Sequence, residues 1–221
     1  MKKITLFLFF FTSTAIAQPI TMTIDSIAKM DSSLERRFTI YFTIANTSPN
    51  DVSFFLDPTF FIPAHSGQLT SAVLYKIFQE NDLIEASGIL GFRDQNKDNL
   101  TPYQLYKRDS LQEALRETDL NKRKLQMQQH FVQTKMTLQS GERKSYSKVL
   151  YWDFERYHKQ GDNEFYLDAD KNYYFQLMMI CYRDEYRTKL SPPEFEKMMA
   201  DPSFIKGWFM SNKAKIDYSP I

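Results

Sequence analysis

The sequence predicts a mainly β protein, built as an antiparallel β-sandwich with a helical insertion at about 102–132 and a short helix near 192–200. Two observations predict this class. Apolar and polar residues alternate with a period of two, and clusters of turn-forming residues separate the alternating segments. Alternation places the apolar side chains of a strand on one face of its sheet, and two such faces are buried most simply against each other.

The first third of the chain shows the clearest strands. Apolar residues alternate with polar ones over 20–25 and again over 38–44. Turn-forming residues at 46–51 precede a resumed alternation, which predicts a hairpin over 38–56. A second hairpin is predicted over 73–84, with its turn at Glu80-Asn81-Asp82.

The middle of the chain has a helical character. Residues 103–139 contain neither glycine nor proline, and Thr101 followed by Pro102 is a favourable helix start. Ser110 and Glu113 have the spacing of a capping box. We therefore expect one or two largely solvated helices between about 102 and 132, inserted between strands.

Strand signals return after the insertion. Alternating or β-rich segments predict strands over 136–138, 145–152, 164–167 and 172–182, and a closing pair of strands over 208–209 and 214–218. Ser191 and Glu194 form a second capping box with Pro192 at the first helical position, which predicts the short helix. The spacing of the strands favours an immunoglobulin-like topology, although the Cys…Trp…Cys core of antibody domains is absent.

The N-terminus has the three parts of a cleavable secretory signal. Lys2 and Lys3 precede an apolar run over 4–11, and Ala15-Ile16-Ala17 is a small-x-small cleavage pattern. We therefore expect a signal peptide over 1–17, cleavage before Gln18, and one domain over 18–221. The apolar run is shorter than the roughly 20 residues that a membrane-spanning helix needs. Because no cysteine lies near the cleavage site, we do not expect a lipid anchor. The expected destination is the periplasm or the extracellular medium.

Charge and cysteine content narrow the function classes. Without Lys2 and Lys3, 26 basic residues face 27 acidic ones, so the mature chain is almost neutral and binding to nucleic acid is disfavoured. Cys181 is the only cysteine, so the chain has no intramolecular disulfide. Its apolar surroundings predict a buried thiol, and a free thiol that bridges two chains is the alternative.

Motifs for catalysis and metal binding are weak. No Gly-x-Ser-x-Gly occurs, and the three histidines, His65, His130 and His158, lie in unrelated contexts. Asp94, Asn96 and Asp98 resemble the start of a calcium loop. However, Asn99 replaces the turn glycine and Leu105 stands where the bidentate glutamate belongs. We therefore expect no cofactor, with calcium as the one candidate. The similar spacing at 168–172 is interpreted as a β-turn.

Aromatic residues supply the remaining site candidates. Tyr151, Trp152, Tyr157 and Trp208 are the predicted ligand or partner residues, because exported β-sandwiches can bind sugars through exposed aromatic side chains. Filling of the core explains most aromatic residues equally well. The alternation places four aromatic residues, of which Tyr151 is also a site candidate, on the side of their strands opposite the predicted core: Tyr41, Phe55, Tyr151 and Tyr174. There they would cover a second layer, the inserted helix or a partner.

The sequence favours a non-enzymatic binding or interaction module of the cell envelope or secreted fraction, with a protein or glycan partner. Strands would form the scaffold, and loops and the helical insertion would make the contacts. Two alternatives stay open. One is an inhibitor or immunity-type protein that blocks an exported enzyme, and the other is a hydrolase with an unrecognised site.

Overall fold

A computed structural model describes residues 18–31, 35–64, 71–84, 122, 125–153, 167 and 171–218. The described chain is mainly β, as the alternation predicts. Its strands are β1 Ile20–Asp31, β2 Glu35–Asn46, β3 Val52–Phe55, β4 Asp57–Pro63, β5 Ala72–Gln79, β6 Asp82–Ile84, β7 Lys135–Leu138, β8 Arg143–Asp153, β9 Tyr173–Cys181, β10 Gly207–Met210 and β11 Ala214–Ile216. Helix α1 covers 125–133, a 3-10 helix covers Arg183–Thr188, and α2 covers Pro192–Ala200.

The strands form three hydrogen-bonded sheets. The first has the order β1-β2-β8 and is antiparallel throughout. The second has the order β10-β9-β5-β4, with β11 also paired to β9 and β6 also paired to β5. Strands β4 and β5 run parallel within this sheet. The third sheet contains β3 and β7.

The period-two residues of β1 and β2 point into the protein core, as predicted. Phe38, Ile40, Phe42 and Ile44 are all buried, and they share one apolar cluster with residues of β5 and β9 on the second sheet. Phe42 makes an edge-on contact with Phe61 of β4, at 5.5 Å between ring centroids. Burial of such side chains contributes about 1.5–3 kcal/mol each. The first two sheets therefore share one interior.

The hairpin predicted over 38–56 is wrong. Both edges of β2 are occupied, by β1 and by β8, so β3 has no free edge to pair with there. Instead β3 pairs with β7, where Phe54 lies opposite Met136. The turn-forming residues at 46–51 carry the chain from the first sheet to the third. The second predicted hairpin is confirmed, since β5 and β6 pair antiparallel across a turn that holds Glu80 at a φ of 53°.

The prediction that the last two strands pair with each other is also wrong. Strands β10 and β11 both exist, but each pairs with β9. Ser211 lies between them and binds the same edge, because its N–H donates to the carbonyl of Leu177 and its Oγ accepts from the N–H of Leu177. The chain therefore continues along β9 and does not fold back on itself.

The helical predictions are confirmed where the structure describes them. Residues 122 and 125–133 are helical, close to the C-terminal limit of the predicted insertion. The rest of that insertion lies outside the described residues. Helix α2 begins with the predicted capping box, in which the N–H of Ser191 donates to a carboxylate oxygen of Glu194 at 3.0 Å. Of the strand predicted over 164–167, only Leu167 is described, and it packs against the main core without belonging to a strand.

A second apolar cluster joins the helices to the third sheet. Phe55 lies at its centre, with ring centroids 4.5 Å from Phe131 of α1, 5.2 Å from Tyr186 and 5.3 Å from Phe204. Leu190, Phe195 and Met198 complete it. Phe55, which the alternation places opposite the predicted core, therefore packs against the inserted helix. Tyr41, at the equivalent position of β2, is exposed, and Tyr174 is half-buried.

Candidate functional site

The structure describes the side chain of one of the four aromatic site candidates. Trp208 lies in β10 and its side chain is described. Tyr151 and Trp152 lie in β8, opposite Arg37 and Arg36 of β2, but their side chains lie outside the described part of the chain. Tyr157 lies outside the described residues altogether, as do Asp94, Asn96 and Asp98 of the candidate calcium loop.

Trp208 is an exposed aromatic side chain with a fixed orientation. Its relative exposure is 49%, and its indole Nε1 donates a hydrogen bond to the hydroxyl of Tyr182. The two rings meet edge to face, with centroids 6.2 Å apart and planes inclined by 75°. An edge-to-face contact and a hydrogen bond together restrict the rotamers of both side chains. The ring is therefore held in place while half of it faces solvent.

Met210 extends this surface along β10. Phe209 points into the main core, so its neighbours Trp208 and Met210 point to the opposite face of the sheet. Met210 is 52% exposed. Tyr182, Trp208 and Met210 form what we call the edge surface.

The edge surface continues a buried apolar layer on the same face of the sheet. In the pairing of β10 with β9, Trp208 lies opposite Ile180 and Met210 lies opposite Met178. In the next pairing, of β9 with β5, Met178 lies opposite Leu74. Ile180, Met178 and Leu74 are buried and form one cluster. The apolar layer therefore becomes exposed at β10, where an edge-strand position leaves large side chains accessible.

A separate cavity of about 210 Å³ lies beside the second apolar cluster. Its apolar lining comes from five residues of different elements: Phe55, Val132, Leu190, Met198 and Phe204. Its charged lining comes from Lys135, Glu194, Lys197 and Asp201. Helix α2 supplies one wall, because positions 194, 197, 198 and the C-cap at 201 recur on one helix face.

The two acidic groups of the cavity are held in their ionised form. Hydrogen bonds from the side chain and backbone of Ser191 hold the pKa of Glu194 below its ordinary value. Hydrogen bonds from Ser203 lower the pKa of Asp201, and the nearby charges of Lys135 and Arg183 lower it further. Both carboxylates therefore present negative charge at neutral pH.

The two basic groups of the cavity have different surroundings. The Nζ of Lys135 lies 4.9 Å from the ring centroid of Phe204, over the ring face, which is a favourable cation–π position. Lys197 is exposed, and none of the described residues gives its ammonium a hydrogen bond or an ion pair. The cavity mouth thus combines apolar surface with charges of both signs.

Cys181 is buried, as its surroundings predict. Its relative exposure is 1%, and burial raises the pKa of its thiol to about 12. The hydroxyl of Tyr186 lies beside it, and burial raises the pKa of that hydroxyl as well. A neutral thiol inside the core is a poor nucleophile and cannot reach a second chain.

Possible catalytic and metal groups are sparse in the described ranges. His65 and His158 lie outside them, and His130 is exposed with its Nε2 4.0 Å from a carboxylate oxygen of Asp57, beyond hydrogen-bond distance. Among the described residues no cluster of three or more His, Cys, Asp or Glu could hold a metal ion. No helix in the described part of the chain is long and apolar enough to span a bilayer.

Two of the three edge-surface residues escaped the sequence analysis. The sequence predicts Tyr182 only as the last residue of a strand, because a contact with a residue 26 positions away leaves no local pattern. Met210 follows Trp208 by two residues and flanks the buried Phe209, so the alternation itself indicates that Trp208 and Met210 share a face.

Comparison with protein-family models, with curated proteins and with solved structures found no match to this chain.

Proposed function

We propose that the mature chain is an exported, non-enzymatic binding module that docks a protein partner through the edge surface. The observation that carries this proposal is the half-exposed indole of Trp208, oriented by Tyr182 and adjoined by the exposed Met210. Pre-oriented aromatic side chains bind with a small loss of conformational entropy. They are also the side chains that most often dominate interface energetics.

The composition of the edge surface favours a protein over a glycan. Tryptophan, tyrosine and methionine are enriched at the centres of protein interfaces. The thioether of Met210 adapts to irregular apolar partners but is a weak hydrogen-bond acceptor for sugar hydroxyls. The indole N–H, which could serve a sugar hydroxyl, is already bound to Tyr182. An apolar side chain of a partner protein therefore complements this surface better than a sugar does.

The flanking residues fit the rim of such an interface. Asp184 follows Tyr182 closely, Lys206 precedes β10 and Asn212 follows it, and all three are exposed. Interfaces commonly combine an apolar centre with a polar, solvated rim. Charges of both signs beside the edge surface would set the orientation of a partner without requiring a strongly charged one.

We further propose an immunoglobulin-like sandwich as the scaffold. The shared interior of the first two sheets supports it, since side chains of β2 and β9 belong to one cluster. The parallel pairing of β4 with β5 is a departure from the antiparallel arrangement that the sequence predicts. In this architecture the edge strand β10 presents the docking residues from a rigid core.

Export is the third part of the proposal and is supported by the signal sequence alone. Lys2, Lys3 and the cleavage pattern at 15–17 predict a mature protein that begins at Gln18. Mass spectrometry of the protein from the exported fraction tests this directly. A Gln18 N-terminus is expected, and full-length chain confined to the cytosol would contradict export.

Affinity capture with matched variants tests the binding function. Immobilised wild-type protein should recover a saturable protein partner from the exported fraction, and Trp208→Ala should reduce recovery at least tenfold. Tyr41→Ala is the matched control, because Tyr41 is an equally exposed aromatic residue on the other sheet. Equal loss with both variants, no saturable partner, or binding to a glycan array in place of protein would contradict the proposal.

A further inference from the structure

We infer that Gln18 is a modification site, at which the α-amine freed by signal cleavage closes onto the side-chain amide of the same residue to form an N-terminal pyroglutamate. The inference rests on the proposed cleavage before Gln18, and it concerns chemistry that docking through the edge surface does not require. Three observations carry it: an exposed side-chain amide, a proline at the next position, and a backbone anchored only from the carbonyl of Gln18 onward.

The reaction is intramolecular and balances without a further reactant. The α-nitrogen attacks the side-chain carbonyl carbon Cδ, a new C–N bond closes a five-membered lactam, and Nε2 leaves as ammonia. In the precursor the same nitrogen belongs to the peptide bond with Ala17, where its lone pair is delocalised into the carbonyl. Removal of the signal peptide therefore makes this nitrogen a nucleophile.

Pro19 restricts the side chain to this one ring closure. A glutamine amide can also be attacked by the backbone nitrogen of the residue that follows it, but proline has no N–H. Of the two backbone nitrogens that flank the side chain of Gln18, only the α-nitrogen can therefore close a ring.

The fold anchors this end of the chain without using the reacting atoms. The hydroxyl of Thr47 donates to the carbonyl oxygen of Gln18 at 2.9 Å, and the N–H of Thr47 donates to the carbonyl oxygen of Pro19 at 2.9 Å. Ile20, the first residue of β1, is completely buried. Both hydrogen bonds are accepted by backbone carbonyl groups that the lactam retains, so ring closure leaves the anchor intact.

The side chain of Gln18 is held only weakly. Its Nε2 lies 3.5 Å from the carbonyl oxygen of Trp208, a distance beyond that of a good hydrogen bond, and the contact is exposed to solvent. Loss of this contact costs little, because water replaces the departing donor. The amide carbon is therefore able to turn toward the α-nitrogen, and it is accessible to an enzyme that catalyses the closure.

Ring closure changes the charge beside the edge surface. An α-amine has an ordinary pKa of about 7.7–8.0, so most of it carries a positive charge at pH 7. The lactam is neutral, and it lies next to the backbone of Trp208. Removing a charge from the border of an apolar surface lowers the desolvation cost of covering that surface.

Tandem mass spectrometry of the N-terminal peptide, taken from protein of the exported fraction, tests the inference. We expect a peptide that begins at residue 18 and is lighter than the unmodified Gln18 peptide by the mass of one ammonia molecule. Edman degradation of the same protein should release no residue in the first cycle, because the lactam has no free α-amine.

Gln18→Asn is the matched variant, because it keeps a side-chain amide but lacks one methylene, so closure would need a strained four-membered ring. It should lose no ammonia and should release asparagine in the first Edman cycle. A wild-type peptide that begins at residue 18 with its full mass would overturn the inference and leave export standing. A chain that begins at any other residue would overturn both the inference and the proposed cleavage site. Equal loss of ammonia from the variant would also overturn the inference, since the ammonia would then come from another side chain.

Discussion

The side-chain amide of Asn46 donates a hydrogen bond to the carbonyl oxygen of Leu138 at 3.0 Å, and this bond ties the end of β2 to the end of β7. The same Nδ2 lies 2.8 Å from the carbonyl oxygen of Asn50 and 3.0 Å from that of Gln139. The Oδ1 accepts from the N–H of Ser48. Asn46 is only 2% exposed. One buried amide therefore organises the crossing between the first and third sheets.

Replacing Asn46 with alanine should destabilise the fold by about 3 kcal/mol. The loss leaves several carbonyl oxygens around a buried site without their donor, and each unsatisfied buried group costs about 1–3 kcal/mol. Urea unfolding checks the value. Asn50→Ala is the control, because Asn50 contributes its backbone carbonyl to this contact, and its effect should stay within about 0.5 kcal/mol. Equal stability of both variants would contradict this role.

Phe55→Ala should cost about 3–5 kcal/mol, the range for loss of a buried phenylalanine. Phe55 is 3% exposed and contacts rings from α1, the 3-10 helix and the segment after α2. Phe60→Ala is the matched control, since Phe60 is 51% exposed and should lose less than about 1 kcal/mol. Chemical denaturation of the two variants would show the contrast. A small effect at position 55 would mean that the second cluster does not hold the helices.

The thiol of Cys181 should resist labelling in the native protein. Burial keeps the side chain 1% exposed and raises its pKa to about 12, so almost no thiolate is present at pH 8. A disulfide reagent should react with the unfolded protein within minutes and at least a hundredfold more slowly with the folded one. Rapid labelling without denaturant, or a disulfide-linked dimer under mild oxidation, would contradict burial.

The same buried thiol makes stability depend on pH in the alkaline range. The folded thiol keeps its proton up to a pKa of about 12, whereas the unfolded thiol ionises near pH 9. Ionisation then favours the unfolded state, so the free energy of unfolding should fall by up to about 1.4 kcal/mol per pH unit between those values. The contribution is fully present below about pH 9.

Cys181→Ala isolates this contribution from that of other alkaline groups. Its stability should be lower than that of wild type at pH 8, and the gap should narrow by about 2 kcal/mol between pH 9 and 10.5. Urea midpoints measured across this range supply the comparison. A gap that stays constant would show that the thiol titrates alike in both states.

The sequence predicts which face of a strand is buried but not which strand lies beside it. Alternation identifies the buried residues of β2, because one side chain in two must face the core. The pairing of Phe42 with Tyr146 joins positions about a hundred residues apart, and no local pattern encodes it. The turn-forming residues at 46–51 predict that the chain reverses into a hairpin. The segment instead crosses to the third sheet, where the side-chain amide of Asn46 donates a hydrogen bond to the carbonyl of Leu138.

The candidate sites show the same division. The residue type makes Trp208 a candidate, but the sequence does not separate exposed aromatic residues from buried ones, and only the tertiary contact identifies Tyr182 as its partner. The spacing of Glu194, Lys197 and Met198 on α2 follows from the helix that the capping box predicts. Phe55, which also lines the cavity, comes from β3, and the sequence does not predict that β3 lies beside α2.

Site-specific photo-crosslinking from the edge surface tests the central claim most directly. With p-benzoylphenylalanine in place of Met210 in the protein expressed in its native compartment, irradiation should yield one dominant crosslinked protein, and the added Trp208→Ala change should abolish it. The same probe in place of Tyr41 should give no such adduct. Absence of an adduct from position 210, or an identical adduct from position 41, would contradict docking through Tyr182, Trp208 and Met210.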